Sequence, residues 1–206
     1  MEGKSVTFEG EVFKTKGTKF NFKTKEKIPI YVGAQGPKML ETAAKIGDGV
    51  LINASHPKDV DYAVECIKKG VSEAGKKLTD VDVTAYTSFS VHENPEKAKE
   101  AAVPVVAFIA AGSPDIILER HGIDLKKVDK IRGALKTGDF GQAFGSVSPE
   151  MIGAFSVCGN PDMCIEQINR LLKAGMSQFV VGSPIGPNVR KSIDLISEKI
   201  IPHFKK

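Results

Sequence analysis

Ile28-Pro29-Ile30-Tyr31-Val32 runs into Gly33-Ala34-Gln35-Gly36-Pro37, and the segment Lys38 to Ile46 follows, closed by Gly47. A short apolar run that ends on a glycine fits a buried strand. Leu40, Ala43 and Ala44 then recur at helical spacing, which predicts a helix from about Lys38 to Ile46 with Gly47 as its stop. Gly49-Val50-Leu51-Ile52-Asn53 repeats the strand pattern. A strand, a glycine-bearing loop, a helix and a second strand make the repeating unit of a parallel sheet, because parallel neighbours need a long crossover.

Downstream the pattern continues. Ser55 and Pro57 suit a helix start, and Val60, Val64, Ile67 and Val71 supply its apolar stripe. A third strand is predicted from Val81 to about Val91, with Val83, Ala85 and Phe89 alternating. It carries four hydroxyls, Thr84, Thr87, Ser88 and Ser90, half of which are expected to face outward or to bond nearby backbone. Pro95 opens a long helical stretch through Ala111, and Ser113-Pro114-Asp115 caps a further turn toward Leu118. Gly122, Gly133, Gly138, Gly141 and Gly145 then predict short helices and turns rather than sheet. Asn160-Pro161 starts a helix with Ile165, Ile168 and Leu172 on one face, closed by Gly175. Gln178 to Gly182 is the fourth strand, Ser183 to Pro187 its loop, and Val189, Ile193, Ile196 and Ile200 line a last amphipathic helix.

Upstream, Val6 to Gly10 and Lys19 to Phe22 read as the two strands of a β-hairpin. The sequence is therefore expected to form a single domain over 1–206, with a hairpin at 5–24. Barrel βα units occupy 28–94 and 176–206, and a helical insertion and helix fill 95–175. Four βα units are half of an eight-stranded barrel, which as a whole takes about 250 residues. A half barrel leaves two strand edges unpaired. The chain is expected to be the C-terminal half of a longer protein or to pair with another chain.

The 206 residues are 41% hydrophobic and 26% charged with a formal charge of +4, which is globular rather than disordered. Aromatic residues are few and tryptophan is absent, and the lysines are interspersed with Asp and Glu, so a nucleic-acid surface is not expected. The longest charge-free stretch, Ala101 to Pro114, is shorter than the roughly 20 residues of a spanning helix. Neither a membrane span nor a signal peptide is expected. Cys66, Cys158 and Cys164 are odd in number and show no metal-like spacing, and the four histidines are scattered. A reducing cytoplasm, inert thiols and no metal site follow as expectations.

The candidate site is Gly33-Ala34-Gln35-Gly36, at the carboxyl end of a strand and just before a helix. Converging backbone N–H groups and the positive helix end there can hold an anion without a charged side chain. A plain strand-to-helix turn, with glycine for geometry, is the competing reading, since neither the Rossmann nor the Walker spacing is present. The loop from Ser183 to Pro187 opens on the same face, with Ser183, Pro184 and Ile185 as its candidate contacts; a stiff surface turn is the other reading. Asn53, Ser55 and His56 follow the second strand, where helix capping is the ordinary task of the last two. Glu119-Arg120-His121 reads as a surface cluster complementing a helix dipole. No nucleophile elbow and no Cys–His pairing is present, so covalent hydrolysis has no support.

The stretch Ile28 to Val50 resembles the fifth through sixth strands of the bacterial-luciferase-like family, which are flavin- and deazaflavin-dependent TIM barrels. Within it, Asn53-Ala54-Ser55-His56-Pro57, Ala107 to Pro114, Leu118 to Asp124 and Gly182 to Pro187 resemble the methylenetetrahydromethanopterin reductases of methanogenic archaea. The resemblance implies coenzyme F420, with FMN as the alternative cofactor, and hydride transfer to a methylene group carried by the pterin. It places the cofactor phosphate on Gly33, Ala34, Gln35 and Gly36, with Ser183, Pro184 and Ile185 bordering the ligand. Relatives carry four further strands ahead of the hairpin, where the acid/base carboxylate lies, so no catalytic residue carries over. The implied partners are methylenetetrahydromethanopterin as substrate and a homo-oligomer or an N-terminal half chain. Another flavin- or deazaflavin-dependent oxidoreductase, or a non-catalytic chain that self-associates, stays as the alternative.

Overall fold

The computed structural model describes residues 3–205. The chain forms two compact units, one up to Ile30 and one from Tyr31 onward.

The first unit is built on an antiparallel hairpin, β1 (Val6–Glu9) and β2 (Lys14–Thr18), with Phe8 opposite Thr15 and Glu9 opposite Lys14. The turn closes through the Gly10 N–H, which donates to the Phe13 carbonyl at 3.0 Å. The second strand thus precedes the predicted Lys19–Phe22. Lys19–Phe22 lies outside any strand, and short-loop closure at Gly10 pairs the polar run Lys14–Thr18 with β1 instead.

The second unit follows the predicted alternation. β3 (Tyr31–Gly33) leads through α1 (Pro37–Ile46) to β4 (Gly49–Asn53), and α2 (Pro57–Glu73) leads to β5 (Asp82–Val91). The helical section comprises α3 (Pro95–Gly112), α4 (Asp115–Arg120), α5 (Leu125–Thr137), α6 (Phe140–Gly145) and α7 (Pro149–Phe155). A three-residue strand, β6 (Val157–Gly159), interrupts the stretch read as helical and adds a fifth strand to the sheet. Then come α8 (Pro161–Lys173), β7 (Gln178–Ile185), α9 (Val189–Leu195), a π turn at Ile196–Ile200 and α10 (Ile201–Phe204).

All pairings in this sheet are parallel, in the order β3-β4-β5-β6 with β7 also on β5. β4 pairs along residues 82–86 of β5 and β6 along 89–91, while β7 spans 84–90. β4 and β6 therefore lie end to end on one edge of β5, and β7 takes the other. On the helix-facing side Val50, Ile52, Val83, Ala85 and Phe89 pack with Leu40, Val60, Ile67, Ile168 and Leu171. Each fully buried Leu or Ile there contributes about 1.5–3 kcal/mol. A second cluster ties α3 to α7 through Val106, Leu118, Val128, Ile131 and Met151.

The opposite sheet face carries Tyr31, Asn53 and Tyr86 in the open, Tyr86 being 46% exposed. Tyr31 Oη donates to the Asp82 carboxylate, a bond that holds the phenol above its ordinary pKa.

Three expectations change here. Thr84, Thr87, Ser88 and Ser90 are all buried, because α3 lies against β5, β6 and β7. Thr87 Oγ1 donates to the Ala54 carbonyl at 2.7 Å, while Ser88 Oγ and Ser90 Oγ are buried without a partner. The last helix does not bury its whole predicted stripe: Ile196 and Ile200 are inside, but Val189 and Ile193 are half exposed. Ser192 takes the inward position instead, its hydroxyl donating to the Val91 carbonyl at 2.9 Å. Ser183, Pro184 and Ile185 belong to β7 rather than to a loop. The strand runs on past a register shift opposite Ser88, with a cis Ser183–Pro184 bond and Ile185 at φ 73°.

Candidate functional site

Because every strand of the sheet is parallel, the carboxyl ends gather on one edge: Gly33, Asn53, Val91, Gly159 and Ile185. Gly33-Ala34-Gln35-Gly36 crosses this edge. The Ala34 N–H donates to the Leu51 carbonyl at 3.0 Å, which extends the ladder one residue past the strand. The chain then turns into α1, with Gly36 at φ −79° and ψ 154° and Pro37 at the first helical position. No side chain caps this helix end. Pro37 has no N–H, and the Lys38 and Met39 amides lack acceptors within the helix, so they point outward at its positive end.

The glycines are not there for the turn. Neither Gly33 nor Gly36 adopts a positive φ, and nothing lies within 4 Å of a Cβ placed on either. At Gly182, by contrast, a Cβ would come within 2.4 Å of the Thr87 carbonyl oxygen. Packing explains the glycine in β7. Open approach to the backbone is what Gly33 and Gly36 provide.

Gly33, Ala34, Gln35, Asn53 and Tyr86 line an open groove of about 370 Å³. Behind it, Ala34, Gln35, Asn53 and Ser55 share a small cavity of about 30 Å³ with Asp59, Tyr62 and Arg120, enough for one or two waters. Ser183, Pro184 and Ile185 reach the same edge three strands away, roughly 14 Å at ordinary strand spacing. They do not line the groove or the cavity at Gly33–Gln35.

The wall of that cavity corrects the surface reading of Glu119-Arg120-His121. Both oxygens of Asp59, in the first turn of α2, are taken: Arg120 Nη1 donates to one and His121 Nε2 to the other, each at 2.8 Å. The three side chains are only 12%, 20% and 4% exposed in the order Asp59, Arg120, His121. A carboxylate can only accept here, so the His121 Nε2 is the donor. The Arg120 guanidinium also sits 4.1 Å from the centre of the Tyr62 ring, and His121 stacks edge-on with His56 and Phe155. Asp59 and Arg120 are 61 residues apart, a separation that no local spacing rule connects.

His56 does cap α2, its Nδ1 accepting from the Lys58 N–H at 3.2 Å. Burial, followed by the charge of His121, lowers its pKa below the ordinary 6.5. Ser55 is buried beside it. Burial also pushes the Cys158 thiol up and the Cys164 thiol to about 12, so both are packing groups at neutral pH. Among the described residues no group of three His, Cys, Asp or Glu side chains is placed to hold a metal, and no helix is long and apolar enough to cross a membrane.

A family model for luciferase-like monooxygenases matches residues 1–178. The 5,10-methylenetetrahydromethanopterin reductase of Methanopyrus kandleri is 51% identical over 208 residues, covering 100% of this chain and 60% of that protein. The enzyme of the same name from Archaeoglobus fulgidus is 54% identical over 208 residues, covering 99% of this chain and 62% of that one. The solved structure of the coenzyme F420 dependent tetrahydromethanopterin reductase from Methanopyrus kandleri superposes with a TM-score of 0.93 at 51% identity, covering 99% of this chain and 59% of that one. The chain spans about 60% of the length of these relatives.

Proposed function

The chain belongs to the luciferase-like monooxygenase family, and on that footing we propose that it serves a coenzyme F420-dependent 5,10-methylenetetrahydromethanopterin reductase and holds the coenzyme phosphate at Gly33–Gly36. The names of its relatives support the activity. The observation that supports the site is the open backbone at Gly33 and Gly36, ahead of a helix end that no side chain caps. A phosphate fits this cradle because charged acceptors draw about twice the strength from an N–H that neutral ones do. FMN, which also ends in a phosphate, is the alternative that the same cradle would accept.

When bound, the reduced deazaflavin would supply a hydride to the methylene carbon of the pterin carrier, one of whose two C–N bonds breaks while the freed nitrogen takes a proton, leaving a methyl. This chain's own residues bind and orient. The Lys38 and Met39 amides fix the phosphate, and the Gln35 and Asn53 side chains offer hydrogen bonds along the groove. The Asp59–Arg120–His121 knot closes the wall behind them, limiting water to the small cavity. Ser183, Pro184 and Ile185 would border the far end of the ligand. Methylenetetrahydromethanopterin is the substrate in this reading, and the setting is cytoplasmic. The open sheet face at Tyr31, Asn53 and Tyr86 suits cover by a second copy or by an N-terminal half chain.

Titrating coenzyme F420 into the purified chain by fluorescence, with light scattering on the same sample and FMN in parallel, tests the reading. Saturable F420 binding by a defined oligomer, tighter than FMN, is expected. A folded, monodisperse chain that binds neither compound would overturn the phosphate assignment, and preference for FMN would overturn the cofactor.

A further inference from the structure

Beyond the Asp59 knot, on its other side, lies a second cleft of about 390 Å³. It is bounded by the start of α2, the end of α4, and the faces of α7 and α8. His56 and Lys58 come from the first of these elements, His121 from the second, Glu150 from the third, and Gln167 and Arg170 from the fourth. Four nitrogen bases from three elements thus converge on one hollow, against a single carboxylate on its wall. Asp59, behind His121, offsets part of their charge, although Arg120 and His121 occupy both of its oxygens. Lys58 Nζ donates to a neutral acceptor, the Arg120 carbonyl, at 3.3 Å, which leaves its charge in place. Arg170 meets Glu166 only at 3.4 Å, in an exposed pair that contributes little.

A neighbouring hollow of about 470 Å³ shares Gly153, Gln167 and Arg170 with this cleft; Val103, Ile152 and Met163 give it apolar walls, and Glu96, Lys99, Glu100 and Glu166 also line it, Lys99 and Arg170 being paired with Glu96 and Glu166. Gln167 is held between the two, its amide nitrogen donating to the Cys158 and Met163 carbonyls at 3.0 Å each. Its side-chain oxygen and the Arg170 guanidinium stand where the cationic and apolar parts join. We propose that this joined cleft is a binding site, separate from the Gly33–Gly36 cradle, for an organic anion. A phosphate or carboxylate head would lie between Lys58 and Arg170, and an apolar body in the hollow between α3, α7 and α8.

The proposal does not rest on the coenzyme reading, and its chemistry sets a pH signature. Burial, then the charge of His121, lowers the His56 pKa; Asp59 acts the other way, and Lys58 and Arg170 add to the fall. An anionic head between those cations removes part of that penalty, so binding draws a proton onto the cleft. Glu150 faces the same space and opposes the anion; its removal strengthens binding.

Phenyl phosphate, benzenesulfonate and inorganic phosphate, titrated into the full chain at pH 6.0 and 7.5 with backbone and side-chain NMR, give the test. Phenyl phosphate is expected to shift the Gly153 amide, the Gln167 side-chain amide and the His56 ring. It should bind at least fivefold tighter than inorganic phosphate at pH 7.5, and benzenesulfonate, whose head keeps one charge across this range, should bind tighter at pH 6.0 than at 7.5. Lys58→Gln and Arg170→Gln, both changes at the cleft rim, should each weaken it about tenfold, whereas Gly36→Ala should not. Equal affinity for the two phosphates would overturn the apolar half of the site. Shifts outside the cleft, or binding that both glutamine variants leave unchanged, would overturn all of it.

Discussion

Replacing Gly36 by alanine separates a glycine kept for binding from one kept for folding. At φ −79° and ψ 154° the residue sits where any L-amino acid is comfortable, and a Cβ there meets nothing within 4 Å. Restricting the unfolded chain stabilises the variant by about 0.4–1 kcal/mol. Against this, alanine is a poorer helix N-cap than glycine, at a cost of about 0.5 kcal/mol. The two nearly cancel, and for a domain of this size the melting temperature should move by no more than about 2 °C. Binding should respond quite differently. In the proposed cradle the methyl group would occupy the space through which a phosphate oxygen reaches the Lys38 and Met39 amides. Losing one such charge-assisted bond costs about 1.5–3 kcal/mol, or roughly a 10- to 150-fold rise in Kd. Thermal unfolding by circular dichroism and fluorescence titration of coenzyme F420 on the same preparation read the two quantities. An unchanged Kd would show that no ligand uses this opening. A fall of several degrees would show that the glycine belongs to the fold after all.

Gly70→Ala is the contrasting case: its Cβ would lie 2.3 Å from the Glu41 carbonyl oxygen of α1, so despite better helix propensity it should destabilise by about 2 kcal/mol in urea unfolding. Asp59→Ala leaves Arg120 and the buried His121 without their shared acceptor and should cost about 3 kcal/mol; a loss under 1 kcal/mol would mean the knot is ornamental. His56 has a folded pKa below its unfolded 6.5, so the unfolded chain takes up the proton first as pH falls. Stability should therefore decline below about pH 6.5, and His56→Asn, which keeps a cap acceptor without titrating, should flatten that slope between pH 5 and 6.5. With a thiol reagent at pH 8, the partly exposed Cys66 should react first, and Cys158 and Cys164 only as the protein unfolds.

What the sequence made legible was the punctuated part. Pro37, Gly47 and Pro57 bracket their elements, and the predicted inward residues Leu40, Ala43, Ala44, Val60, Val64, Ile67 and Val71 are all buried. Elements without punctuation were missed. β6 is three residues inside an apolar run, too short for alternation to show. β2 carries no apolar residue at all, and its register comes from the Gly10 turn. Ser192 displaces the expected hydrophobic stripe because a backbone carbonyl, Val91, waits for its hydroxyl. The strand-to-helix turn at Gly33–Gly36 lies where its glycines and Pro37 put it, because that signal is local. The Asp59–Arg120–His121 knot was not legible, since complementary charges on the ends of two distant helices carry no mark of each other.

β5 is sheathed along both edges, by β4 and then β6 on one side and by β7 on the other, with α3 and α9 packed against it. Its backbone amides can reach solvent only if pieces drawn from residues 49 to 185 let go together. Local breathing that frees β3 leaves it shut, and loss of β6 uncovers only residues 89–91. In deuterated water β5 should therefore be the last segment to exchange, at a rate that reports the opening of the whole second unit. Two variants that unfold with equal free energy should slow or speed that strand equally, wherever in this unit the substitution lies.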